Sequence, residues 1–178
     1  MDIARAPRLL GVLALAVMAT SCIGQTTRAD FTKIVQQRGG GLSSEMTGQA
    51  LDAITSVLPA EKKYWTLTIM STSVLAIAQG AEPTWLDSYN WSDGDLTGPD
   101  KVPTNGIAVE AFFDRSQVPL DRLERVVDAA IDDAAIREGY ASELQISGQP
   151  MILAVTVTND RETKIVGFTA DGERLADA

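Results

Sequence analysis

Histidine is absent from the 178 residues, and cysteine occurs once, at Cys22. The first absence removes every Ser-His-Asp and Cys-His arrangement. The second removes internal disulfides and any cluster of zinc-binding thiolates. Aromatic residues are scarce, with 4 Phe, 3 Trp and 3 Tyr to fill a core or line a cavity. Positive charge is outnumbered, 15 Lys and Arg against 24 Asp and Glu, so the formal charge is −9. Nucleic acid needs a basic surface, which this chain lacks, and none is expected as a partner. No apolar run is long enough to span a bilayer. Leu9 to Met18 covers ten residues, whereas a spanning helix needs about 20 and export-signal cores run about 7–15.

That run has the right surroundings for export. Arg5 and Arg8 precede it, and the small residues Ala19-Thr20-Ser21 lead from it to Cys22. The expected layout is a signal peptide over 1–21, cleaved between Ser21 and Cys22, then a flexible tether over 22–44 and a single domain over 45–178. A lone cysteine directly after the signal is placed for lipidation. Two acyl chains and a third on the new amino terminus give stable anchorage at about 0.8 kcal/mol per buried methylene. Cleavage leaves 157 residues, enough for one sizeable core, and removes two Arg and one Asp, taking the charge from −9 to −10.

The tether is polar and contains Gly39-Gly40-Gly41, which lacks the Lys-Ser/Thr of a phosphate loop. A first helix is expected from Ser44 to Pro59, with Ala50, Leu51, Ile54, Val57 and Leu58 on one face. Tyr64 to Ser71 alternates as a strand, with Trp65, Leu67 and Ile69 on one side. Val74 to Ala78 extends that strand or begins another element. Glu82 to Thr104, rich in turn formers, reads as a long irregular segment. Ile107 to Phe113 alternates again, with Ile107, Val109, Ala111 and Phe113 inward and Glu110 on the opposite face with Phe112. The clearest helix is Pro119 to Glu138, whose residues Leu120, Leu123, Val127, Ala130, Ile131 and Ala134 keep 3–4 spacing. Strands over Ala141–Ser147, Met151–Thr158 and Thr163–Thr169 close the chain as a meander. The expected fold is α+β, a mainly antiparallel sheet of about five strands with two helices packed on one face.

Without histidine or a free thiol, catalysis would have to draw on carboxylates, tyrosines, serines and the five lysines. None of the lysines stands in a Ser-x-x-Lys, and no catalytic residue is expected. The richest stretch for binding is Trp85 to Asp100. Trp85, Tyr89, Trp91, Asp93 and Asp95 form a candidate binding loop, since long loops in compact domains are often functional. An EF-hand register on Gly94 would put Tyr89 and Trp91 at ligand positions, so that motif fails. Asp93, Asp95 and Asp100 leave a different calcium site open, though no metal or other cofactor is expected.

Ala19-Thr20-Ser21-Cys22 resembles the bacterial lipobox. With the polar tether, Trp65 after the first helix, and the long helix running into Gly139-Tyr140, the layout is similar to the small conserved lipoproteins of mycobacteria and other actinobacteria, of the LppA and LppV kind. The resemblance implies a lipid-anchored protein on the extracytoplasmic face of the cell membrane and lends no active site. The expected function is non-catalytic binding of an envelope protein or small ligand; the alternative is a carrier of lipid or another apolar molecule. Cys22→Ala is expected to release the protein from the membrane fraction or leave it unprocessed. Recovery of that variant with membranes as a mature-sized, acylated species would overturn the anchor.

Overall fold

The computed structural model describes residues 42–104 and 111–176. The signal peptide, Cys22, nearly all of the tether and the Ile107–Glu110 part of one expected strand lie outside the described residues. Leu42 is already buried, so packing reaches into the last residues expected of the tether.

Helix α1 spans Ser44–Val57. Its N-cap is Ser43 rather than Ser44, the Ser43 hydroxyl accepting the Met46 amide at 3.3 Å. Thr47, Ala50, Leu51 and Ile54 face the core, while Val57 is 55% exposed instead of joining the apolar face. Strands β1 (Tyr64–Met70), β2 (Ser73–Gln79), β3 (Trp85–Ser92) and β4 (Asp95–Pro103) follow as a meander. A turn of 3-10 helix over Leu120–Arg122 leads into α2 (Leu123–Ala134), and β5 (Tyr140–Ser147), β6 (Ile152–Thr158) and β7 (Thr163–Thr169) complete the chain. All seven strands form one antiparallel sheet in the order β4-β3-β2-β1-β5-β6-β7.

Among the described residues the α+β class with two helices is as expected, but there are seven strands rather than about five. Val74 to Ala78 belongs to a strand of its own, β2. The segment expected to be irregular is the β3–β4 hairpin, turning on Asp93 (φ 52°) and Gly94 (φ 93°). Two successive left-handed residues match the right-handed twist of paired strands, which is why Asp-Gly makes tight hairpins. Gly98 also has a left-handed φ, at a register shift where a β-carbon would lie 2.5 Å from the Ser88 carbonyl oxygen. Phe113 makes an isolated bridge to Tyr64, and no strand is formed by the described residues around it. The second helix stops at Ala134, short of Glu138. Ala135 takes a left-handed φ of 50°, and the Gly139 amide closes a turn onto the Ile136 carbonyl.

The two halves of the sheet repeat one another. Helix positions Thr47, Ala50, Leu51, Ile54 and Leu58 are buried, and so are Leu123, Val126, Val127, Ala130 and Ala134, each 76 residues on. Tyr64, Leu67 and Ile69 of β1 recur 77 residues on as Ala141, Leu144 and Ile146, and Tyr89 and Trp91 of β3 recur as Val166 and Phe168. Even the bulges correspond, between Tyr64 and Thr66 in β1 and between Ala141 and Glu143 in β5. The chain is thus a helix-and-three-strand unit used twice, with β4 added to the first copy. The copies meet where β1 pairs with β5, and both helices pack on the same face over one continuous apolar core.

Trp65 is not part of that core. It is the extra residue at the β1 bulge, which passes the inward position to Tyr64 and leaves the indole half-buried. The face away from the helices mixes hydroxyls with aliphatics: Thr66, Thr68, Ser88, Ser147 and Thr156 stand among Leu75 and Ile77, with Ile152 and Ile165 exposed.

One carboxylate joins the helices. Glu124, in the first turn of α2, accepts both the amide and the hydroxyl of Ser44, the first residue of α1, each at 2.7 Å. It satisfies an unpartnered amide and sets negative charge at the positive end of α1. Partial desolvation pushes its pKa up, but the Ser44 hydrogen bonds outweigh this and hold it below the ordinary 4.5. A depressed carboxyl stabilises the fold above its unfolded pKa and loses that contribution as pH falls through the folded value. Glu124→Gln should therefore cost about 1 kcal/mol at neutral pH. The gap between variant and parent should close as pH falls through the lowered folded-state value. Urea unfolding at pH 7 and pH 3 measures both.

Candidate functional site

The five residues of the candidate binding loop are not presented together. Tyr89 is 2% exposed and Trp91 7% exposed, both pointing from β3 into the helix-side core. Burial, followed by the negative charge of Asp87, raises the Tyr89 pKa, so its hydroxyl stays protonated. These two are core residues, which corrects their assignment to a loop surface. Asp93 and Asp95 are exposed at the hairpin tip. Asp100 pairs with Ser88 well along β4, roughly 17 Å from Asp95 at ~3.4 Å per residue. No group of three or more acidic or thiol side chains able to hold a metal occurs among the described residues. Of the two tryptophans in the candidate loop, only Trp85 keeps a half-exposed indole, with the Lys101 ammonium 6.0 Å from its ring centroid.

The larger concavity lies elsewhere, where α1 ends and the chain turns into β1. A cleft of about 550 Å³ opens between that turn and the segment Asp114–Leu120. Residues of the first helix bring Thr55 and Leu58 to it, the turn brings Pro59, Ala60 and Lys62, and the start of β1 brings Tyr64. The far wall is fixed to β1 by paired backbone hydrogen bonds between Tyr64 and Phe113, at 2.9 and 2.8 Å. Their rings lie 6.1 Å apart.

Both sides mix apolar and polar residues: Leu58 and Pro59 stand with Lys62 on the turn, and Val118 and Leu120 with Asp114, Arg115 and Ser116 on the facing segment. Tyr64 shares a hydrogen bond of 3.1 Å with Thr55. Burial raises the Tyr64 pKa, which that bond and the Arg115 charge only partly offset, leaving a neutral phenol. Lys63 pairs with Asp114 at 3.2 Å, and Arg115 pairs with Asp52 of α1. Lys62 donates to the Gly80 carbonyl at 2.6 Å.

Lys62 also borders a second cleft of about 290 Å³, which includes Gln79, Glu82, Trp85, Leu86 and Phe112. Trp85 is thus an expected binding residue that the structure places in a concavity. The sequence reading missed Lys62, Tyr64 and Arg115. The paired Lys62-Lys63 at a helix end was the available signal, and it also fits ordinary helix-end charges.

No known protein family matches the chain, and neither a curated protein nor a solved structure does. Among the described residues no helix is long and apolar enough to cross a membrane.

The unlike settings of the two tryptophans separate experimentally. Trp91→Ala should destabilise the fold by about 3–5 kcal/mol through the cavity it leaves. Trp85→Ala should cost about 1 kcal/mol, as expected of a half-buried side chain. Denaturant midpoints of the single variants test this; equal losses would contradict the placement.

Proposed function

We propose that this chain is an exported lipoprotein, acylated on Cys22 and held at the extracytoplasmic face of the cell membrane. Its folded domain binds a partner protein or small ligand without transforming it. The observation that carries the reading is the cleft over Tyr64, about 550 Å³ in size and open beside a filled core. Ligand sites commonly measure about 300–1,000 Å³ and combine apolar walls with a few convergent polar groups. The apolar lining of Leu58, Pro59, Val118 and Leu120 also favours the second reading, in which the domain carries a lipid or other apolar molecule. In both readings the cleft residues hold and orient. Asp114 and Arg115 are already engaged in ion pairs, so their role is to shape the wall.

Ser116 is exposed on the rim, so Ser116→Trp should block the cleft without disturbing the core. Protein recovered from envelope extract on the full chain, and small molecules co-purifying with it, should be depleted by Ser116→Trp. Trp85→Ala should deplete them less. Unchanged recovery of both kinds would remove the cleft from the function.

A further inference from the structure

Each copy of the repeat makes the same turn between helix and first strand, and in the first copy the 550 Å³ cleft opens beside it. In the first copy the Lys62 amide bonds the Pro59 carbonyl at 2.9 Å; in the second the Gly139 amide bonds the Ile136 carbonyl at the same 2.9 Å. The residues at these matched positions differ in one direction. Ile136 is 6% exposed and plugs its corner, whereas Pro59 is exposed on the cleft rim. Gly139 admits no side chain, because a β-carbon there would lie 2.9 Å from that of Ile136, whereas Lys62 lines the cleft with its ammonium resting on the Gly80 carbonyl at its border with the second cleft. The end of α2 is further closed by Lys164, whose ammonium donates to the Ala134 carbonyl at 2.6 Å. The matching position in β3 is Asp87. One backbone frame is thus sealed in one half and fitted with a cation in the other.

The charge in the open half is not cancelled. Asp114 is taken by Lys63, and Arg115 by Asp52. Lys62 meets a backbone carbonyl and, among the described residues, no carboxylate. The hydroxyls of Ser116, Thr55 and Tyr64 line the same space. Apolar Leu58, Pro59, Val118 and Leu120 line it as well.

From this we infer that the cleft takes a small amphiphilic anion. Its carboxylate or phosphate head would be held by Lys62 and the hydroxyls, and its short apolar body would lie against the apolar residues. The inference rests on the reading of the cleft as a binding site and adds the class of ligand. The acidic surround of a chain with net charge −9 disfavours anions elsewhere on the molecule. The local cation therefore supplies selectivity as well as attraction, charge-assisted hydrogen bonds being the strong ones.

Isothermal titration of the full chain with hexanoate, hexyl phosphate, hexanol and inorganic phosphate tests the inference. Hexanoate or hexyl phosphate should bind about tenfold or more tightly than hexanol, a difference of about 1.4 kcal/mol. Inorganic phosphate alone should bind weakly, because it cannot use the apolar lining. Lys62→Met should abolish the preference for anion over alcohol, Lys62→Arg should keep it, and Arg125→Met on the solvent face of α2 should leave it unchanged. Thermal unfolding of each variant checks that the fold is retained. Equal binding of hexanol and hexanoate, an unaltered preference in Lys62→Met, or no binding of any probe at millimolar concentration overturns the inference. If Ser116→Trp changes what the chain recovers from envelope while the probes fail to bind, the ligand class falls and the cleft stands. If the anions bind but envelope recovery is unchanged, the ligand class survives and the envelope partner falls.

Discussion

The structure depends on one non-local pairing. Every other ladder in the sheet joins strands that are consecutive in the chain, whereas β1 and β5 pair residues 73 to 81 positions apart. Local hairpins close short loops at small entropic cost; this seam closes a long one. What offsets the cost is visible at its centre. Leu67, Ile69, Leu144 and Ile146 are each 0% exposed and belong to the single apolar core that both helices share. Without the seam each half would be a small sheet with one uncovered edge and half a core. Glu124 bridging to Ser44 reinforces the same junction from the helix layer, tying the start of one helix to the start of the other.

Because the halves are built alike, their differences stand out as local choices. The second half spends its turn residues on closure, with Ile136 inside, Gly139 tightly packed and Lys164 capping the helix end. The first half replaces the small Ala141 position with Tyr64, whose ring and backbone hold Phe113. That docking sets the connector between the copies beside the end of α1 rather than over it. The cleft is therefore a product of where the connector is anchored, and the polar groups facing it are a consequence of the same substitutions.

Much of the fold was legible in the sequence. The 3–4 spacing from Leu120 to Ala134 identified α2, and alternation identified β1 and the terminal meander, because half-buried elements print their periods on the chain. What hid β3 and β4 was the sheet edge. An edge strand can carry Gly98, Pro99 and Pro103, and its neighbour can carry Ser88, Asn90 and Ser92 on the open face, so the pair reads as a loop until Asp93-Gly94 is weighed as a hairpin turn. Trp65 was misplaced because a bulge reverses alternation without any mark in composition. The cleft was the least legible part. Thr55, Lys62, Tyr64 and Arg115 come from three separate stretches, and nothing in their spacing foretells that they meet. The repeat was equally concealed, since few positions beyond the Leu67/Leu144 and Ile69/Ile146 pairs keep the same residue.

Both margins of the sheet are finished off. On one, Pro99 and Pro103 have no amide to offer a neighbouring strand, and Lys101 adds an exposed charge. On the other, β7 is occupied by the chain's own tail: the Thr169 amide reaches the Glu173 carbonyl and the Leu175 amide reaches the Gly167 carbonyl, each at 2.8 Å. A molecule confined to a plane, as acylation would confine this one, meets its own copies far more often than it would in free solution. Blunted margins deny those encounters a template for cross-strand polymerisation. Crowding on the surface then need not lead to fibre growth, and recognition is left to side chains.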